Sequence, residues 1–91
     1  MSAVMRSFKL ATLTGETLSN FEWWWSEYPR KVGRFDAMKA WEQTITQHPD
    51  IEQMIAILDK QSASNEWQKE KGAYIPYPAS YLRAGRFLDE L

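Results

Sequence analysis

A single histidine, His48, twelve acidic side chains and no cysteine are the supply from which this 91-residue chain must build any nucleophile, general base or metal site. His48 stands immediately before Pro49, where a helix is expected to end, and a histidine in that position caps the helix or sits in solvent far more often than it catalyses. General acid–base work needs carboxylates that share a face. Glu22 with Glu27, and Asp50 with Glu52, miss the i, i+4 spacing that would put them together on a helix, and Asp89 with Glu90 falls at the end of the chain. There is no HExxH pair and no glycine-rich phosphate loop. The lack of cysteine excludes a disulfide framework, a thiolate zinc site and a cysteine nucleophile, and agrees with a reducing compartment. The sequence therefore predicts a protein that is not an enzyme and needs no cofactor or metal.

Cations and aromatic rings are the other chemistry on offer. The net charge of −1 argues against attraction of the whole surface to nucleic acid or membrane, but the charges are unevenly spread. Residues 30–41 hold Arg30, Lys31, Arg34 and Lys39 against Asp36, whereas residues 42–70 hold six acids against Lys60 and Lys69. In Tyr28-Pro29-Arg30-Lys31-Val32-Gly33, the proline ends an aromatic helix and the glycine frees the backbone. Arg30, Lys31 and Arg34 can then project from a loop and a helix N-terminus whose unpaired N–H groups also favour phosphate. Arg83 and Arg86 form a second basic pair among aromatics, where Tyr74, Tyr77 or Tyr81 can offer a face on which a base stacks. The nucleic-acid set expected from the residues is Arg30, Lys31, Arg34, Tyr77, Tyr81, Arg83 and Arg86. The competing expectation is packing: Tyr28 and Pro29 fill a corner, Arg30 pairs with an acid of the third helix, and tyrosines lie against Trp41.

Helices must position these groups. Residues 1–19 read as an arm with a short edge strand, because Phe8 and Leu10 alternate weakly before Ala11 and Leu13 break the phase. From Asn20 the spacing becomes helical: Phe21, Trp24, Trp25 and Tyr28 fall at i, i+3, i+4, i+7, with Ser19 or Asn20 as N-cap, and Pro29 stops the run. A second helix over 34–47 places Phe35, Met38, Trp41 and Ile45 on one face, with Ala37 and Ala40 admitting a close neighbour. Asp50 is expected to cap a third helix in a capping box with Gln53, and its stripe is Ile51, Met54, Ile55 and Leu58. A short helical turn around Trp67 ends at Gly72, and Pro78 opens a last helix that stops at Gly85. The predicted fold is all-α, a small orthogonal bundle of three main helices plus short C-terminal helical segments, with residues 20–91 as the folded module. Five Trp, four Tyr and four Phe make its core aromatic, Trp24, Trp25 and Trp41 foremost.

One spaced set of residues carries a family resemblance: Trp24-Trp25-Ser26-Glu27-Tyr28-Pro29-Arg30-Lys31-Val32-Gly33, then Ala37 and Lys39-Ala40-Trp41, Trp67, Tyr74-Ile75-Pro76-Tyr77-Pro78-Ala79, Leu82, and Gly85-Arg86-Phe87 with Asp89. Over residues 20–90 this resembles the C-terminal module of bacteriophage and prophage replication-initiation proteins. That module is similar to the helical C-terminal regions of primosomal and helicase-loader proteins and is often attached to a winged helix. The chain departs from the pattern at Tyr81 and Phe87, where the family has tryptophan, and at Arg83, where asparagine is common. The eighteen residues ahead of Ser19 are too few for a winged helix. The resemblance implies a non-enzymatic module contacting DNA, single- or double-stranded, the replicative helicase or another replisome protein, or both, in the bacterial cytoplasm.

Trp23 belongs to none of these stripes. Three successive tryptophans span about 200° of a helix at 100° per residue, so at least one must face outward, and an outward Trp23 is an anchor for a protein interface unless the N-terminal arm covers it. With it comes a second function class, a small phage-encoded factor that binds or inhibits a host or defence protein without touching DNA. No apolar run approaches the roughly 18 residues that span a bilayer, and residues 1–18 lack the apolar block of a signal peptide, so no membrane partner is expected.

Overall fold

The structure, a computed structural model, describes residues 15–89. Eight helical pieces follow one another along it. The helices are α1 (Gly15–Glu27), α2 (Arg34–Thr44), α3 (Ile51–Ser62), α4 (Asn65–Gln68) and α5 (Pro78–Arg83), and 3-10 turns occupy Ile45–Gln47, Lys69–Gly72 and Arg86–Leu88. Among the described residues there is no strand, and the fold is an all-α bundle of three main helices followed by short pieces.

α1 begins earlier than its stripe predicts. Gly15–Ser19, expected at the end of an arm, form its first turns, so neither Ser19 nor Asn20 is the N-cap. The rest of the expected arm, with Phe8 and Leu10, lies outside the described residues. Polar Thr17, Ser19 and Asn20 hide the start of the helix from a reading based on apolar spacing, while Glu16 in the first turn complements the positive end of its dipole.

The core is a cluster of rings. Trp24 is fully buried at its centre, with ring centroids 4.8 Å from Tyr28, 5.6 Å from Trp41 and 5.7 Å from Tyr81. Tyr28 meets Trp67 and Tyr81 edge-on at 5.8 and 5.4 Å, an arrangement the ring quadrupoles favour. Trp25, expected in the core, is half-buried at its edge and stacks on Phe21 at 6.0 Å.

α1 packs on α3, and α2 packs most extensively on α5. The α3 stripe is as predicted: Met54, Ile55 and Leu58 are buried and Ile51 lies against them, with Ile57 and Gln61 added. The α2 stripe holds at Trp41, with Met38 and Ile45 half-buried against the core, and fails at Phe35. Its buried face is Ala37, Ala40, Trp41 and Thr44, while Phe35 keeps 59% of its surface exposed beneath the Lys39 ammonium. The small alanines bring α2 close to α5, and that approach rotates the helix so that Phe35 faces out. Asp50 occupies the N-cap position of α3 without a capping box: Gln53 and Met54 donate to its backbone carbonyl, and its carboxylate bonds no helix N–H.

Ser64 caps α4 through its hydroxyl, which accepts from the Trp67 N–H at 3.3 Å, and Trp67 is buried as expected. The following turn is unusual. Glu70 and Lys71 have φ of 51° and 56° ahead of Gly72 at 84°, so three residues in a row are left-handed. The two non-glycine positions are held against a cost of roughly 1–2 kcal/mol each. At Gly72 a Cβ would also lie 3.1 Å from Ile75 Cδ1. The chain then passes through a second turn, in which the Ile75 N–H donates to the Gly72 carbonyl at 3.2 Å, and reaches the open segment 75–77 ahead of α5.

Candidate nucleic-acid interface

Segment 73–77 is bolted to the end of α1 by side chains far away in sequence. Tyr28 donates its hydroxyl proton to the Pro76 carbonyl at 2.7 Å, and burial pushes the pKa of that phenol up, so it remains a donor. Arg30 donates to the carbonyls of Ile75 at 2.8 Å and Ala73 at 3.5 Å, and its guanidinium carbon lies 4.5 Å from the centroid of the Tyr77 ring. The expected pairing of Arg30 with an acid of the third helix is therefore replaced by a clamp on backbone carbonyls. Ile75 points inward, while Tyr74 and Tyr77 keep 56% and 52% of their surfaces exposed. Each carries a cation over its ring, Lys69 Nζ at 4.9 Å for Tyr74 and Arg30 for Tyr77.

The seven predicted contact residues do not form one surface. Tyr81 is fully buried and offers no face to a base. It donates to Gln61 Oε1 at 2.6 Å and packs on Trp24, Tyr28 and Trp67 instead of Trp41. Arg34 pairs with Glu22 and lies over the rings of Phe21 and Trp25. Arg83 donates to both oxygens of Asp36, at 2.9 and 3.3 Å, and to Gln43 at 3.0 Å, lacing α5 to α2. That hydrogen bond holds the Asp36 carboxyl below its usual pKa. Arg86 pairs with Asp89 at 2.9 Å. A guanidinium already matched by a carboxylate gains little by exchanging it for a phosphate.

Arg30 and Lys31 differ. Both donate to carbonyls only, Lys31 to that of Tyr28 at 2.9 Å, and neither is paired with a carboxylate of the described residues. The structure thus brings together Arg30, Lys31 and Tyr77 of the predicted set, adds Tyr74 and Lys69, and sets Arg34, Tyr81, Arg83 and Arg86 apart. Lys69 was missed because it lies among acids in sequence, and only the left-handed turn carries it onto Tyr74.

His48 stands at the C-cap of the 3-10 turn Ile45–Gln47, where its backbone N–H donates to the Ile45 carbonyl at 3.2 Å, and its ring is half-buried instead of lying in solvent. Its Nε2 lies 2.8 Å from Thr44 Oγ1, whose own proton goes to the Ala40 carbonyl, and its ring meets Trp41 and Phe87 edge-on at 4.4 and 4.9 Å. Burial pushes its pKa down from 6.5 to about 4. An unfolded histidine takes up a proton near pH 6.5 that the folded one refuses until about pH 4. Stability is therefore full above pH 6.5 and falls as the pH drops through that window. Melting temperature should decline from pH 7 to pH 5, and His48→Phe should flatten the decline; an equal decline in both proteins would remove His48 as its cause.

Among the described residues no three His, Asp or Glu side chains gather into a metal set, and no helix is long and apolar enough to cross a membrane. Fold and site together define a small all-α domain with an aromatic core and one basic, tyrosine-bearing face. The chain belongs to the family of the Legionella vir region protein LvrA C-terminal domain, whose model matches residues 16–85. The match does not extend to the replication-initiation module that the motif set resembles. No curated protein and no solved structure matches the chain.

Proposed function

We propose that the domain is a non-catalytic binding module and that its face at Arg30, Lys31, Tyr74 and Tyr77 takes single-stranded nucleic acid. The observation that carries this reading is the pair of exposed tyrosines three residues apart, each with a cation over its ring, on a segment whose Ala73, Ile75 and Pro76 carbonyls are held by Arg30 and Tyr28. A duplex keeps its base faces stacked on one another, so stacking selects the single strand. Phosphates fall to Arg30 and Lys31, with Lys69 and Lys71 at the other end of the segment. The family name states a genomic region and no activity, and no feature of this face specifies a helicase.

Binding is expected to be weak and salt-sensitive. Two to four neutralised phosphates give a slope of log affinity against log salt of about −1.4 to −2.8 on single strands. A fluorescent oligothymidine titrated at two salt concentrations checks this. Tyr74→Ala and Tyr77→Ala should each cost about 1–3 kcal/mol where a base stacks. No binding at low salt, or equal affinity for a duplex of the same length, would remove the proposal.

A further inference from the structure

The opposite end of α1 has the opposite charge. α1 is about 20 Å long at 1.5 Å per residue. Its last turn runs into the Arg30 and Lys31 loop, while its first turns line a cleft of about 370 Å3 shared with the start of α3. Ile45, Pro49 and Ile51, each half-buried, give that cleft an apolar wall. Glu16, Asp50 and Glu52 stand on it, and among the described residues no lysine or arginine lines it. Glu16 and Glu52 complement helix dipoles, but the Asp50 carboxylate bonds no helix N–H although it occupies the N-cap. Burial keeps the His48 ring neutral at pH 7, so it adds no positive charge.

Trp23 extends this surface. At 100° per residue, Glu16 and Glu27 lie within about 40° of Trp23 around the axis of α1, so the ring, 41% exposed, sits between two acids on a helix that carries no cation. We infer that the acidic cleft and Trp23 together form a docking surface for a protein partner, and that the occupant is a segment alternating lysine or arginine with apolar residues. The charges require a cationic ligand, and the apolar wall and the exposed indole require one with apolar side chains as well. A bare polyamine satisfies the first requirement alone. Because the cleft lies at the other end of α1 from the basic loop, with Trp23 on the flank between them, it works whether or not the basic face binds nucleic acid.

The test uses the full chain and a fluorescein-labelled short peptide alternating leucine with lysine, with its glutamate counterpart as control, followed by anisotropy. The lysine peptide should bind and the glutamate peptide should not. Glu16→Gln with Glu52→Gln should weaken binding about three- to tenfold, the value of two exposed charge pairs. Trp23→Ala should weaken it more than tenfold, as loss of an interface anchor does. Asp59→Asn with Glu66→Gln, which removes as much charge elsewhere, should leave it within about twofold if two distant exposed charges contribute little. Equal weakening by both charge pairs would reduce the surface to general attraction and overturn the proposal. So would binding that emerges only after removal of residues 1–14, which carry Arg6 and Lys9 and would then be the occupant. Concentration-dependent self-association abolished by Glu16→Gln with Glu52→Gln would assign the surface to a second copy and overturn it equally.

Discussion

Trp41→Ala should destabilise the domain by about 3–5 kcal/mol, the range for emptying a large aromatic site in a core. The ring is 2% exposed and stands where α2 meets α1, 5.6 Å from both Phe21 and Trp24, with His48 against its other side. Three rings would lose a packing partner at once, and their rigid shapes close such a cavity poorly. A domain of this size has about 5–15 kcal/mol in total, so the variant should melt at a much lower temperature and unfold at much lower urea. A wild-type melting curve would mean that α2 does not turn Trp41 inward, and the rotation that exposes Phe35 would be wrong with it.

Tyr81→Phe should cost about 1–3 kcal/mol of stability and leave nucleic-acid affinity unchanged. The phenol bonds Gln61 Oε1 at 2.6 Å in the interior, while the Gln61 amide donates to the Arg86 carbonyl at 3.0 Å, so one hydroxyl orients a link between α3, α5 and the last turn. Removing it leaves a buried acceptor unsatisfied, which costs more than the net value of the bond. Urea denaturation and oligonucleotide titration of the same variant separate the two roles. Unchanged stability with lost binding would return Tyr81 to the surface.

What the sequence made legible follows from which forces are local. α3 could be read because its apolar positions outnumber the ambiguous ones, and extending the stripe from Leu58 by three residues would also have found Gln61. In α2 the stripe is legible at Met38, Trp41 and Ile45 but not at Phe35, because the centre of the buried face is set by how closely Ala37 and Ala40 let α5 approach. Tyrosine has an apolar body and a polar tip, so its type does not say which of Tyr74, Tyr77 and Tyr81 is buried. The signal was positional: Tyr81 shares a helix with Pro78, Ala79 and Leu82, all buried, while Tyr74 and Tyr77 flank the inward-pointing Ile75. The fates of the arginines were not local at all. Arg30 finds its carbonyls more than forty residues away, and Arg83 finds Asp36 across the bundle. Basic residues close in sequence thus divide into those matched by acids and those left charged only once the chain has folded.

That division is the center of the account, and one comparison tests it. Oligothymidine is titrated at low salt into two double variants of equal charge change, Arg30→Glu with Lys31→Glu and Arg83→Glu with Arg86→Glu, each first shown by circular dichroism to be folded. The carbonyl-bonded pair holds the uncompensated charge beside the exposed tyrosines. Its reversal should abolish measurable binding, while reversal of the acid-paired arginines should change affinity only by the small amount that distant exposed charges contribute. Loss of binding from the Arg83 and Arg86 variant alone, with the Arg30 and Lys31 variant unaffected, would contradict it.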